Sequence, residues 1–234
     1  FNLHIRKKLE SLSKDNIFNS EEVTTKNNLD RYLGIIEECP SNIVSYINTN
    51  TILVIDEAYI DFIDDQSQSC IDLIPRHDNL IVLRTLSKGY SLAGLSVGYG
   101  IAQEELIHPM LTKTKDSYNL DQISQVIAAC ALEDQEHKRK CSALIKASRK
   151  KLQEGLENLG LQVEPSQANF LLVTIPAQSP LNAEALYKEL KKRNIFVRYF
   201  NMPRLEDKLR ISIGLPEQNK KLLETIEILI SRPK

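Results

Sequence analysis

Several of the features that mark common protein classes are missing from this chain. Across its 234 residues no apolar run approaches the roughly 18 residues of a membrane span, so no membrane association is expected. Neither sign of charge is in excess. There are 30 Lys+Arg against 31 Asp+Glu, a net charge of −1, which supplies no general attraction to nucleic acid or an anionic surface. Cysteine is scarce. Cys39, Cys70, Cys130 and Cys141 are scattered and form no CxxC pair, which points to a reducing compartment, the cytoplasm, rather than a disulfide framework. His4, His77, His108 and His137 lack the i, i+4 spacing of a helical metal pair, so no metal site is expected. The opening Phe1-Asn2-Leu3-His4 carries no apolar signal segment. A start at Phe instead of Met suggests a processed start or a piece of a longer protein. Hydrophobic residues still make up 42% of the chain, enough for a core in one large domain or two small ones.

Glycine is also sparse, and unevenly placed: four of the eight glycines fall between Gly89 and Gly100. They follow Lys88, which sits between Ser87 and Gly89. Upstream, Asn79-Leu80-Ile81-Val82-Leu83 is a short β-branched run that reads as a buried strand over 79–84. Lys88 therefore lies just past the C-terminal end of a strand, where open α/β sheets carry ligand chemistry. A lysine there is either a solvated loop amine or one that forms a Schiff base with a carbonyl compound. The best strand of the chain is Thr51-Ile52-Leu53-Val54-Ile55, whose lack of polar alternation predicts cover on both faces, as in a parallel sheet. It ends in Asp56, which either caps a turn or offers a carboxylate on the same ligand side. Glu57 and Asp61 read as solvated or structural carboxylates.

The rest of the chain is read from periodicity. Residues 1–28 are polar, with a short helix over Arg6–Leu12 and loop or loose helix after it. Leu29, Tyr32, Leu33, Ile35 and Ile36 predict a helix that Pro40 ends; Ser41–Ile47 is a further turn. A third strand is expected over Ser96–Ala102 and a helix over Glu104–Leu111. Asp121 is a natural N-cap for a helix with Ile123, Val126, Ile127, Cys130 and Ala131 on one face. A long helix follows Asp134 to about Asn158, its buried stripe Cys141, Leu144, Ile145, Leu152, Leu156 and Leu159, its end at Gly160. The basic cluster His137-Lys138-Arg139-Lys140 and Arg149-Lys150-Lys151 reads as a solvated helix face, since acidic residues interleave and aromatics do not. Strand Asn169–Ile175, helix Ala183–Arg193, strands Ile195–Tyr199 and Lys208–Ile213 and a helix from Pro216 to about Ser231 complete a compact α+β unit. The expected architecture is α/β: residues 1–140 are part of a large domain with a mainly parallel sheet, and 141–234 form a small C-terminal α+β domain.

The run Asp56-Glu57-Ala58-Tyr59-Ile60-Asp61-Phe62, followed by Arg84-Thr85-Leu86-Ser87-Lys88 and Leu92-Ala93-Gly94-Leu95, resembles the histidinol-phosphate aminotransferase family, pyridoxal-phosphate enzymes of fold type I. Pro165-Ser166-Gln167-Ala168-Asn169-Phe170, Phe196-Val197-Arg198 and Leu209-Arg210-Ile211-Ser212-Ile213-Gly214 agree with it, and the resemblance runs from about Leu29 to the C-terminus. The resemblance implies that Lys88 forms the Schiff base with pyridoxal 5'-phosphate and then serves as acid and base. It implies that Asp56 pairs with the pyridine nitrogen, that Tyr59 donates to the ring oxygen, and that Thr85 and Ser87 hydrogen-bond the phosphate. Arg210 would grip the substrate carboxylate, where a bidentate fork suits a planar anion, and Arg198 would make a second anion contact; apart from the resemblance, a surface salt bridge accounts equally well for either arginine. The implied reaction moves an amino group between glutamate and imidazole-acetol phosphate, in histidine biosynthesis, in a cytoplasmic homodimer with no nucleic-acid partner.

The chain departs from the family in three ways. Ser96 stands where the family has an Arg on the cofactor phosphate, a loss worth roughly 1.5–3 kcal/mol of binding. No Asn-Pro dipeptide occurs, although the family uses one beside the cofactor ring. The family's N-terminal third has no counterpart in residues 1–28. Two alternatives follow, a related threonine-phosphate decarboxylase and a truncated relative that folds without catalysing.

Overall fold

The computed structural model describes residues 51–65, 68–115 and 117–231. The helices and turns expected before Thr51 lie outside the described residues. The chain divides into two compact units: Phe1–Ile55 with Ser67–Val82 and Ile101–Lys115, and Asp56–Gln66 with Leu83–Gly100 and Asp116–Lys234.

Three strands, β1 (Leu53–Asp56), β2 (Leu80–Thr85) and β3 (Gly98–Ile101), form one sheet in that order. Leu53 N donates to Asn79 O at 2.8 Å and Glu57 N to Leu83 O at 2.8 Å. Both bonds span 26 residues (79 − 53 and 83 − 57), the constant offset of a parallel pair. Leu86 N donates to Val97 O at 3.0 Å, and Gly98 lies against the Arg84 carbonyl, the opposed register of an antiparallel third strand. Full cover of the first strand is not what the structure shows. Leu53 and Ile55 pack with Cys70, Ile74, Leu80 and Val82, while Ile52 and Val54 are exposed. The strand is one-sided because its alternate residues find no packing partner among the described residues.

In the first unit α1 (Glu104–Pro109) runs into a π-helical turn, Met110–Thr114, so the helical stretch outlasts its proline. In the second unit lie α2 (Gln122–Glu133) and α3 (Gln135–Asn158). Asp121 caps α2 as expected, its carboxylate accepting from Ser124 N at 2.8 Å. The apolar face marked by Ile123, Val126, Ile127 and Cys130 is exposed, and Ser124 and Ala128 are the buried residues. Helix α3 ends in a Schellman motif: Leu161 N reaches Leu156 O at 3.2 Å, Gly160 N reaches Glu157 O at 2.9 Å, and Gly160 takes φ +79°.

The expected stripe of α3 needs correction. Leu152 and Leu156 are buried, but Leu144 is 69% exposed, and the polar Ser142 and Arg149 are buried instead. The basic cluster is likewise not wholly solvated. Lys138 and Arg149 are drawn inward by an acidic side chain and by backbone carbonyls, as described below.

A four-stranded antiparallel sheet completes the second unit, in the order β4 (Gln162–Val163), β5 (Phe170–Thr174), β7 (Lys208–Ser212), β6 (Arg198–Tyr199). Leu171, Val173, Leu209 and Ile211 alternate onto one face and are at most 2% exposed. They pack with Leu152 and Leu156 of α3, Leu186 and Leu190 of α4 (Ala183–Lys192), and Leu222, Ile226 and Leu229 of α5 (Pro216–Ile230). The opposite faces of β6 and β7 are thereby free to present polar side chains. Leu171→Ala should cost about 2–5 kcal/mol through its cavity, and Gly160→Ala about 1–2 kcal/mol through its left-handed backbone. Urea midpoints of the purified variants check both.

Candidate active site

The end of β1 turns sharply. Asp56 Oδ1 accepts from Ala58 N at 2.9 Å, folding the chain back on the carboxylate, and a 3-10 turn over Ile60–Phe62 follows. Tyr59 stands at the head of that turn. Its ring meets Phe170, at the start of β5, edge to face, with centroids 5.6 Å apart and planes at 79°. Lys88, on the loop after β2, places its Nζ 5.8 Å from the Tyr59 ring centroid. Phe170 also carries Arg210, whose Cζ lies 5.2 Å from that ring and 5.9 Å from Phe200. Arg198 stands directly opposite Arg210 in the β6–β7 ladder, with its Cζ 5.4 Å from Phe200.

The expected residues therefore fall into one chain of contacts within the second unit. Lys88, Tyr59 and Arg210 meet through Tyr59 and Phe170, and Arg198 joins through Phe200. Asp56 belongs to the same electrostatic neighbourhood: burial pushes the Tyr59 phenol above its ordinary value of 10, Arg210 pulls it down, and Asp56 pushes it up. At neutral pH Tyr59 is thus a protonated hydrogen-bond donor.

Thr85 shapes the loop before Lys88, with Ser87 bonded to it through its backbone N. Thr85 Oγ1 donates to Val97 O and accepts from Ser87 N, both at 3.1 Å. Ser96 is exposed and left-handed, with φ 53°. Among the described residues no group of three or more His, Cys, Asp or Glu side chains could hold a metal ion.

Two guanidinium groups directly opposite one another repel. Neither Arg198 nor Arg210 is in an ion pair among the described residues. Phe200 stabilises both through its ring face, and the pair is open to an anionic ligand. Phe170 and Phe200 carry the geometry but had no assigned role in the sequence. Phe200 stands two residues after Arg198, but nothing in the local sequence pairs Phe170 with Arg210.

The carboxylates Glu57 and Asp61 are buried and ion-paired rather than solvated. Arg84 holds Glu57 Oε2 with Nε at 3.0 Å and Nη2 at 2.9 Å. Lys138 Nζ holds Asp61 Oδ1 at 2.7 Å. Arg149 donates to Phe62 O at 3.3 Å and Ala168 O at 3.0 Å, tying the Tyr59 turn to the approach to β5. Burial draws the Arg149 guanidinium below its ordinary value, and Asp64 opposes the shift.

Solved structures share this architecture. Histidinol-phosphate aminotransferase from Sinorhizobium meliloti, in complex with pyridoxal-5'-phosphate, matches with a TM-score of 0.73 at 26% identity, covering 81% of this chain and 52% of that one. The histidinol-phosphate aminotransferase from Clostridium acetobutylicum gives 0.71 at 25% identity, covering 91% and 61%. The fold is that of the α/β, fold-type I aminotransferases. The family model for aminotransferase class I and II matches residues 41–226, and the chain belongs to that family. Among curated relatives, histidinol-phosphate aminotransferase 1 of Nostoc sp. is 49% identical over 179 residues, 76% of this chain and 49% of that protein. The chain spans about half the length of the curated relatives it matches.

The electrostatics of Tyr59 can be measured with ring-labelled tyrosine by carbon NMR. Its phenol should titrate above 10. Arg210→Gln should raise that value further by removing the cation, and Asp56→Asn should lower it by removing the anion. Opposite signs, or no change, would mean that these three groups do not share a site.

Proposed function

We propose that this chain carries the cofactor lysine and substrate arginines of a pyridoxal-phosphate aminotransferase acting between glutamate and imidazole-acetol phosphate, in histidine biosynthesis. The observation that carries it is the Lys88 amine over the Tyr59 ring, with Asp56 and Arg210 acting on the same phenol. The names of the similar proteins support the reaction class. Residues 1–140 belong in this reading to the cofactor domain and 141–234 to the small domain. The whole protein is a cytoplasmic homodimer. No helix among the described residues is long and apolar enough to cross a membrane. Exposed Tyr118, Ile123 and Val126 offer apolar surface to a second copy.

The donor set fits the cofactor's ring: an amine, a carboxylate and a protonated phenol. Bound pyridoxal phosphate supplies an electron sink for loss of the substrate's Cα proton. Lys88 takes that proton at Nζ and returns it. Asp56 would keep the ring nitrogen protonated, and Tyr59 would donate to the ring oxygen. Ser87 and Thr85 would hold the cofactor's phosphate, with Ser96 adding no charge there. Arg210 binds a carboxylate, and Arg198 a second anionic group.

Incubation with pyridoxal phosphate, borohydride reduction and peptide mapping test the reading. The expected result is one cofactor adduct, on Lys88, lost in Lys88→Ala. Adduct spread over surface lysines would overturn it in favour of the non-catalytic relative. Ser96→Arg should tighten cofactor binding about ten- to a hundredfold, since a charge-assisted bond to phosphate is worth about 1.5–3 kcal/mol. Fluorescence titration with the cofactor checks this, and unchanged affinity would remove Ser96 from the phosphate end.

A further inference from the structure

Asp61 lies two residues beyond Tyr59 and is buried, yet none of the chemistry above uses it. Its carboxylate fills the space in front of Gly89, the residue after Lys88. A Cβ built on Gly89 would stand 2.5 Å from Asp61 Cβ and Cγ, and closer still to Oδ2. That contact admits only glycine, so the Lys88 loop rests directly on the Asp61 side chain.

Asp61 is itself held from two directions. Its carbonyl accepts from Ser142 Oγ at 2.5 Å, and its carboxylate pairs with Lys138 Nζ at 2.7 Å. Lys138 is shielded, with its side chain 18% exposed, and its ammonium sits 5.8 Å from the ring centroid of Tyr90. Gln135 Nε2 donates to the Tyr90 hydroxyl at 3.1 Å. Gln135, Lys138 and Ser142 share one face of α3 by their spacing of three and four. That face grips both the Tyr59 turn, through Asp61, and the residues that follow Lys88, through Tyr90. A cavity of about 220 Å³ opens beside the pair, lined in part by Arg84, Thr85, Tyr99 and Lys138. Lys138 therefore borders open space on one side and is held there by its ion pair with Asp61 and the face of Tyr90. Buried ion pairs are weak as stability devices, because desolvation offsets their attraction.

We propose that Asp61, gripped by Lys138, is a positioning residue that sets the Lys88 amine over Tyr59 through its contact with Gly89. The proposal rests on the reading of Lys88 given above. Its test uses the full chain and two readouts. One is the rate of borohydride-trapped pyridoxal-phosphate adduct on Lys88. The other needs no cofactor: competitive acetylation, with Lys88 read against the other lysines by peptide mass.

Lys138→Met, Asp61→Ala and Gly89→Ala should each slow trapping about tenfold or more and change the relative acetylation of Lys88, while Lys138→Arg restores both. Leu171→Ala, destabilised in the core, should leave both unchanged. The proposal is overturned if the three variants match wild type at Lys88, or if Leu171→Ala shows the same losses, since the effect would then follow stability alone. Should Gly89→Ala or Asp61→Ala not fold, the Lys138→Met and Lys138→Arg pair decides. If wild type forms no adduct on Lys88, the aminotransferase reading falls, and the acetylation comparison alone decides whether Asp61 positions this lysine.

Discussion

The hydrogen bond from Glu57 N to Leu83 O holds the register on which the site depends. It aligns the ends of β1 and β2, so that Asp56 and the Thr85–Lys88 turn leave the sheet side by side. Side chains alternate along a strand, and a slip of one residue would send Asp56 to the opposite face. The neighbouring Glu57 carboxylate, locked by both Arg84 nitrogens, strengthens the same alignment from the side chains. Both nitrogens meet the one oxygen Oε2, and misalignment is costly because Glu57, with its side chain 5% exposed, would be left a buried charge.

From that edge the site is assembled by rings and cations more than by conventional ion pairs. Tyr59, Phe170 and Phe200 carry Lys88, Arg210 and Arg198 on their faces or edges. Aromatic faces attract cations without neutralising them, so the positive charge stays available to a ligand. The antiparallel register of β6 and β7 forces two guanidinium groups together. Their repulsion is a cost that any anion bound between them would relieve.

Helix α3 ties the pieces to one another. Through Lys138, Ser142, Lys146 and Arg149 it binds the side chain of Asp61 and the carbonyls of Asp61, Phe62, Ile63 and Ala168. These bonds explain why polar residues occupy its buried face and why Leu144 is displaced outward. Periodicity assigns burial by hydrophobicity. It is blind to a carbonyl that will be waiting for a serine or an arginine.

Strands 51–55 and 79–84, the Asp121 cap, and the long helix with its end at Gly160 could all be read from local pattern. Each depends on interactions within a few residues: alternation, capping, a left-handed glycine. Lys88 and Asp56 could be marked as candidates because strand ends face ligands in such sheets, and candidate roles for Tyr59, Arg198 and Arg210 came with the motif resemblance. What local pattern could not contain was the joining of distant segments. Phe170 and Phe200 became ring platforms, Asp61 came to rest against Gly89, Thr85 turned to Val97, and one face of β1 found no packing partner among the described residues. Those outcomes depend on packing between residues tens of positions apart, and only the tertiary structure decides which groups such packing brings within reach.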